Sequence, residues 1–260
     1  MLSFTPAELP GERTRVSRVD DLVLAALRSL PERPAESETP ATKKRYSELM
    51  SAAIAPAIAE ELRHRGMHEA RPSGPGKAGL SGAERRLAGG IGAKKVDVSW
   101  TTEESGLLLG VSVKTINWRD RRSQNFQKNL TNRRGDMLIE AVTLHRRFPY
   151  AVLAGFMFLD KGARNDGTTR RRSTFQNAFP RLRLFTGRQD PLGRDEQFER
   201  LYVVLVEANK FTPLFECYHV SDANRPIDLS SAIDELVALV AERNFDFYEA
   251  NGDGSLRRPG

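Results

Sequence analysis

Three side chains, Asp97, Ser112 and Lys114, have types and spacing suited to chemistry. Asp97 lies in Lys95-Val96-Asp97-Val98-Ser99-Trp100, and Ser112 and Lys114 lie two residues apart in the run from Gly106 to Asn117. Both stretches carry the two-residue period of a strand, and Glu103-Glu104-Ser105-Gly106 between them is a natural turn. A hairpin centred on that turn sets Asp97 opposite Ser112 and Lys95 opposite Lys114. It puts Asp97, Ser99, Ser112 and Lys114 on one face and Val96, Val98, Val111 and Val113 on the other, toward a core. An alternating strand ordinarily turns its polar face to water. Here Leu107-Leu108-Leu109 and the apolar run 150–159 read as central strands covered on both sides, so charges among them need partners. An acid, a hydroxyl and a lysine on one patch suit phosphodiester hydrolysis. A carboxylate can hold Mg2+, which bridges phosphate and water. A partly desolvated lysine can polarise the phosphate or help to deprotonate the water. A second acid usually completes such a metal site, and position 112, which would supply it, is serine.

The surrounding elements must position these groups. Residues 1–42 read as an N-terminal arm and linker holding a short helix from Val19 to about Leu30. Residues 43–260 read as one domain, with a core of about 84–220 and a C-terminal helix over 228–249, striped by Ile233, Leu236, Val237 and Val240. A helix over 43–65 is expected to kink or break at Pro56. Residues 67–94 hold seven glycines and two prolines and predict a long loop with a helical piece around 83–88. A helix within 124–147, a strand over 150–160, a basic loop over 161–172, a helix near 173–179 and strands over 201–207 and 214–220 follow. This order describes an α/β fold, a mixed central β-sheet flanked by helices with a helical N-terminal extension.

The stretch Val111-Ser112-Val113-Lys114-Thr115-Ile116 resembles a branch of the type II restriction endonucleases within the PD-(D/E)XK nuclease superfamily, in which serine replaces the carboxylate of the (D/E)XK half-motif. In that branch the missing acid comes from a glutamate on the next helix, followed by an apolar stretch, basic residues and a strand. Ile139-Glu140-Ala141-Val142-Thr143-Leu144-His145-Arg146-Arg147 before Pro149-Tyr150-Ala151-Val152 looks similar, which makes Glu140 the migrated ligand. The resemblance implies a restriction-endonuclease-like core and a Mg2+ site of Asp97 and Glu140. It implies that Lys114 stabilises the phosphate, that Ser112 is a polar neighbour, and that Glu84, ahead of the first strand, is a further acidic ligand. Asp120-Arg121 falls where the family carries a pair that reads guanines. Two departures stand out: Glu140 lies further from Lys114 than the family's glutamate does, with Gly135 as a possible helix break between them, and Trp118 occupies a position that usually holds arginine. The resemblance covers about residues 84–160. It implies double-stranded DNA as substrate, a homodimer or higher homo-oligomer to cut both strands, and a possible cognate methyltransferase. Two other readings stay open: a catalytically degenerate DNA-binding subunit of a phage-defence complex, and an RNA-directed nuclease.

Charge agrees with a polyanionic partner. Lys and Arg outnumber Asp and Glu by 40 to 34, and arginines cluster at Arg119/Arg121/Arg122, Arg133/Arg134, Arg146/Arg147 and Arg170/Arg171/Arg172. Contacts to DNA are expected from Trp118, Arg119, Asp120, Arg121, Arg122, Asn125, Arg133 and Arg134, and a phosphate clamp from Arg170, Arg171 and Arg172. Cys217 is the only cysteine, so an intramolecular disulfide and a multi-cysteine zinc site are excluded. His64 and His68 have the spacing of a helical metal pair but lack the His-Glu-x-x-His glutamate, and His145 reads as a surface residue. No apolar stretch is long enough to span a membrane and no signal-peptide layout is present, so a cytoplasmic protein is expected.

Overall fold

The computed structural model describes residues 17–73, 85–88 and 93–259. Helix α1 (Arg18–Arg28) starts at Ser17, whose hydroxyl accepts from Asp20 N–H while the Asp20 carboxylate accepts from Ser17 N–H in return. Helix α2 (Pro40–His64) starts at Thr39 with proline in its first turn. It runs unbroken past Pro56, contrary to the expected break. Pro56 deprives the Ala52 carbonyl of its helical donor, and Ala52 is exposed, so water can serve it instead.

A hairpin of β1 (Arg85–Ala88) and β2 (Ala93–Val96) follows, with Arg86 paired to Lys95. Over 85–88 the expected helical piece is therefore a strand, because cross-strand pairing overrides a weak local preference; residues 83 and 84 lie outside the described residues. Strands β3 (Val98–Thr102) and β4 (Gly106–Ile116) come next. Val98 pairs with Val111 and Trp100 with Leu109, in the register read from the turn, before a bulge at Trp100/Thr101 shifts the rest by one. Then come α3 (Gln127–His145), β5 (Val152–Asp160), a short 3-10 turn, α4 (Thr174–Arg183), β6 (Arg200–Glu207), β7 (Leu214–His219), β8 (Pro226–Ile227) and α5 (Leu229–Arg243). A small ribbon of β9 (Glu249–Ala250) and β10 (Leu256–Arg257) ends the described chain.

The main sheet has six strands in the order β3-β4-β5-β6-β7-β8. β4, β5 and β6 run parallel, and the remaining pairs are antiparallel. Crossovers through α3 and α4 connect the parallel strands, as parallel pairing requires. One face carries α1, α2 and α5, with Val111, Val113, Phe156 and Val204 beneath them. The other carries α3 and α4, over Leu153, Met157, Leu201 and Val203. Helix α1 buries Val19, Val23 and Leu27 in the first of these cores. Each such side chain contributes about 1.5–3 kcal/mol by leaving water. Among the described residues, no helix is long and apolar enough to cross a membrane.

His145 is buried rather than exposed. Its Nε2 lies 3.3 Å from Glu199 Oε2, and its Nδ1 lies 3.0 Å from the Asp195 carbonyl. Glu199 has no exposed surface and also meets Arg188 at 3.3 Å and Arg243 at 2.8 Å, while Leu153 N–H donates to it. Burial raises the Glu199 pKa, but His145, Arg243 and the Leu153 amide outweigh it and hold the carboxyl below its ordinary value. Its contribution to stability is therefore full above the unfolded glutamate value of ~4.3 and is lost as pH falls through the lower folded value. Glu199→Gln is expected to cost about 1.5–3 kcal/mol at neutral pH and to flatten the acid limb of stability, as read from urea unfolding across pH.

Candidate active site

The chain leaves the main sheet at Asp97. Because β2 turns away to pair with β1, residues 95–100 are two strands rather than one. The expected pairings of Asp97 with Ser112 and Lys95 with Lys114 therefore do not form, and Val96 joins the α3-side core, apart from Val98, Val111 and Val113. The Asp97 side chain instead takes the place of the missing strand. Its Oδ2 accepts from Val113 N–H at 2.7 Å, two residues past the last paired residue, Val111. This backbone bond fixes the carboxylate at the end of the β3–β4 ladder.

Lys114, the next residue of β4, reaches back to it. Lys114 Nζ lies 3.4 Å from Asp97 Oδ2 and 3.1 Å from Glu140 Oε2. Ser112 Oγ donates to the same Glu140 oxygen at 3.3 Å. Glu140 is almost fully buried, at 2% exposure, so its charge is held by protein groups rather than by water. Burial works against the charge on Lys114, but Glu140 and Asp97 outweigh it, and the ammonium titrates above the ordinary lysine range. At neutral pH Lys114 is a cation, suited to steady a phosphate oxygen rather than to take a proton.

Glu140 reaches β4 because α3 is a single helix from Gln127 to His145, with no break at Gly135. The residues that separate Glu140 from Lys114 form the loop 117–126 and the first turns of this helix. Close docking depends on Gly155, which pairs with Ser112. A Cβ at Gly155 would come within 2.3 Å of Met137 Cε and 2.7 Å of Leu201 Cδ2. Met137 therefore occupies the space above this glycine, and Glu140 follows it one turn later. The other end of α3 is held by Asp166, which is buried and accepts from Phe126 N–H at 3.0 Å and from Thr174 N–H at 2.6 Å. One carboxylate thus serves the first turns of both α3 and α4.

The Asp97 and Lys114 side chains open into a cleft of about 1040 Å³ between α2, the end of β4, the loop 117–126 and α3. Its cations are Lys43, Lys44, Lys95, Lys114, Arg119, Arg121, Lys128 and Arg133, against the acids Glu38, Glu48, Asp97 and Asp120. Asp120 organises the loop. Its Oδ1 accepts from the amides of Arg122 and Ser123, and Lys128 pairs with Oδ2 at 3.2 Å. The Ser123 amide and Lys128 lead in pushing the Asp120 pKa down to about 2. The loop leaves Arg121 and Arg122 exposed, and Gln124 adopts a positive φ of 52°.

Other residues singled out in the sequence have structural partners. Trp118 is buried, donates to the Lys43 carbonyl at 3.1 Å, meets Tyr46 edge to face and has the Arg33 guanidinium over its ring. It ties the loop to α2. Asn125 is buried, with its side chain on Ser123 O and Gln127 N–H. Arg134 packs over Phe185, and Arg133 pairs with Asp136 at 3.1 Å. Arg170 and Arg172 are exposed, and Arg171 donates to the Asp166 carbonyl. Gly66, at φ +96°, follows the end of α2, so His64 and His68 do not share a helix face. Glu84 lies outside the described residues.

The sequence reading missed Asp166, Gly155 and Glu199. An isolated glycine inside the apolar run 152–159 was a usable signal of close backbone approach. Nothing near Asp166 or Glu199 in the chain shows that their partners lie up to about 55 residues away. Comparison with family models, with curated proteins and with solved structures finds no match.

Proposed function

We propose that the protein is a Mg2+-dependent endonuclease that hydrolyses phosphodiester bonds of double-stranded DNA, with a restriction-endonuclease-like core and a role in restriction or related phage defence. The observation that carries this reading is the convergence of Asp97 and Glu140 on one cation, Lys114 Nζ, beside a cleft richer in cations than in acids. Two carboxylates that share a positive partner are a hard, anionic oxygen donor set, which fits Mg2+. Among the described residues, no group of three or more His, Cys, Asp or Glu side chains stands ready for a metal. The fit therefore rests on two protein carboxylates, and Mg2+ commonly keeps several waters beside one or two of these.

Asp97 and Glu140 would hold the ion, which when bound supplies Lewis-acid polarisation of the phosphate and a more acidic water. Lys114 stays protonated and steadies the non-bridging phosphate oxygens as negative charge builds on them. Ser112 orients the Glu140 carboxylate through its hydroxyl. The Val113 amide keeps Asp97 from rotating away, so the first acid needs no rearrangement before reaction. Arg121 and Lys128, on the cleft wall, meet the polyanionic substrate. Cutting both strands of a duplex calls for two such sites and hence a symmetric homo-oligomer.

The test is incubation of supercoiled plasmid and of a structured RNA with Mg2+ and with EDTA. The expected result is Mg2+-dependent nicking or linearisation of the plasmid. Cutting confined to RNA would move the substrate to the RNA-directed alternative. Tight duplex binding with no cutting in Mg2+ or Mn2+ would favour a DNA-binding subunit.

A further inference from the structure

The cleft does not end at its own wall. Lys128 also lines a groove of about 420 Å³ between the start of α3 and the length of α4, with Gln127, Thr131, Arg171, Asn177 and Arg181. Arg171 in turn lines the next hollow along, formed by the turn that carries Arg164, Arg170 and Arg172. Lys128 joins the first depression to the second and Arg171 the second to the third, so the three line up as a strip. Its composition changes along the way. The main cleft mixes eight cations with four acids. The groove and the turn beyond it are lined by Lys128, Arg164, Arg170, Arg171, Arg172 and Arg181 and by no carboxylate, while Asp120 pairs with Lys128 at 3.2 Å and Glu216 with Arg164 at 2.6 Å from outside the lining. Lys128, Arg164, Arg170 and Arg172 are exposed, so their charge faces solvent along this lining and attracts a polyanion.

We infer that the α3–α4 groove and the Arg164–Arg172 turn bind the sugar–phosphate backbone of the duplex where it leaves the cleavage site. The inference rests on the nuclease reading for its partner. The chemistry is that of backbone positioning rather than base reading: guanidinium, ammonium and side-chain amide groups on an open surface. It also gives Asp166 a second consequence. By holding the start of α3 and the start of α4 together, Asp166 keeps the strip in register with the helix that carries Glu140.

The test compares the wild type with Arg181→Glu, Arg170→Glu and the control Arg194→Glu, which lies in an exposed loop outside the strip. Affinity for a fluorescent duplex of about two helical turns is measured by anisotropy in Ca2+ over a range of salt. A melting curve of each variant confirms that it is folded. Arg181→Glu and Arg170→Glu are each expected to weaken binding roughly tenfold or more. Each should also lower the slope of log affinity against log salt by about 1, the signature of a lost phosphate contact, while Arg194→Glu binds as the wild type does. Unchanged affinity and slope in both strip variants would overturn the inference and leave the nuclease reading intact. If the wild type binds the duplex through the strip but does not cut it in Mg2+, the nuclease reading fails and the groove stands.

Discussion

Lys114→Met is expected to lower DNA cleavage by about 10³-fold, roughly 4 kcal/mol of transition-state stabilisation, and at the same time to tighten divalent-metal binding. The two effects have one cause. Lys114 Nζ sits 3.4 Å from Asp97 Oδ2 and 3.1 Å from Glu140 Oε2, where it balances the charge that a metal would also balance. Charges this close, partly shielded from water, interact by several kcal/mol at an effective dielectric of about 20. Deleting the ammonium therefore favours the metal by at least about tenfold while removing the group that steadies the phosphate. Methionine keeps most of the length of the aliphatic stem, so the site does not collapse. Single-turnover cleavage and Mn2+ titration calorimetry on the same preparation read both quantities. A variant that cuts at the wild-type rate would refute the role given to Lys114. A variant that loses both cutting and metal binding would show that Lys114 is needed to build the site, not to compete within it.

The second large effect concerns the acid on α3. Glu140→Ala is expected to reduce cleavage by about 10²–10³-fold, since it removes one of two carboxylates and leaves Lys114 with Asp97 alone. Ser112 Oγ lies 3.3 Å from Glu140 Oε2, so a carboxylate grown from position 112 would enter the same space. The double variant Ser112→Asp, Glu140→Ala is therefore expected to regain at least about tenfold over Glu140→Ala, because the donor set returns on β4 instead of α3. Ser112→Asp alone places two buried carboxylates side by side and is expected to destabilise the fold, as a fall in melting temperature would show. Failure of the double variant to regain activity while it folds and binds DNA would mean that Glu140 does more than hold a charge at that point.

The sequence showed the local parts of this site and hid the distant ones. The turn at 103–106 gave the β3–β4 register over Val98 and Val111, and the two-residue period put Ser112 and Lys114 on a common face of β4. It did not reveal that β2 departs at Asp97, because the pull comes from pairing with β1 across a glycine-rich stretch whose local signals read as loop. The distance between Lys114 and Glu140 along the chain looked like an obstacle. It is taken up by the loop 117–126 and by extra helix at the start of α3, so nothing has to break at Gly135. Trp118 has the composition of a base-stacking residue, yet Tyr46, Arg33 and the Lys43 carbonyl occupy it. A single sequence cannot separate these outcomes, because the partner that decides each one is remote in the chain. The arginine clusters show the converse. Their charge was legible from composition, but only the fold aligns Lys128, Arg171 and Arg181 along one strip.

In the proposed site Asp97 and Glu140 together hold the catalytic metal beside Lys114. A crystal grown with DNA and Mn2+ and measured for anomalous scattering tests this arrangement directly. A metal peak is expected within ~2.6 Å of an oxygen of both carboxylates, facing the cleft beside Lys114. A metal bound to Asp97 without Glu140, or DNA seated in the cleft with no metal at these two residues, would contradict it.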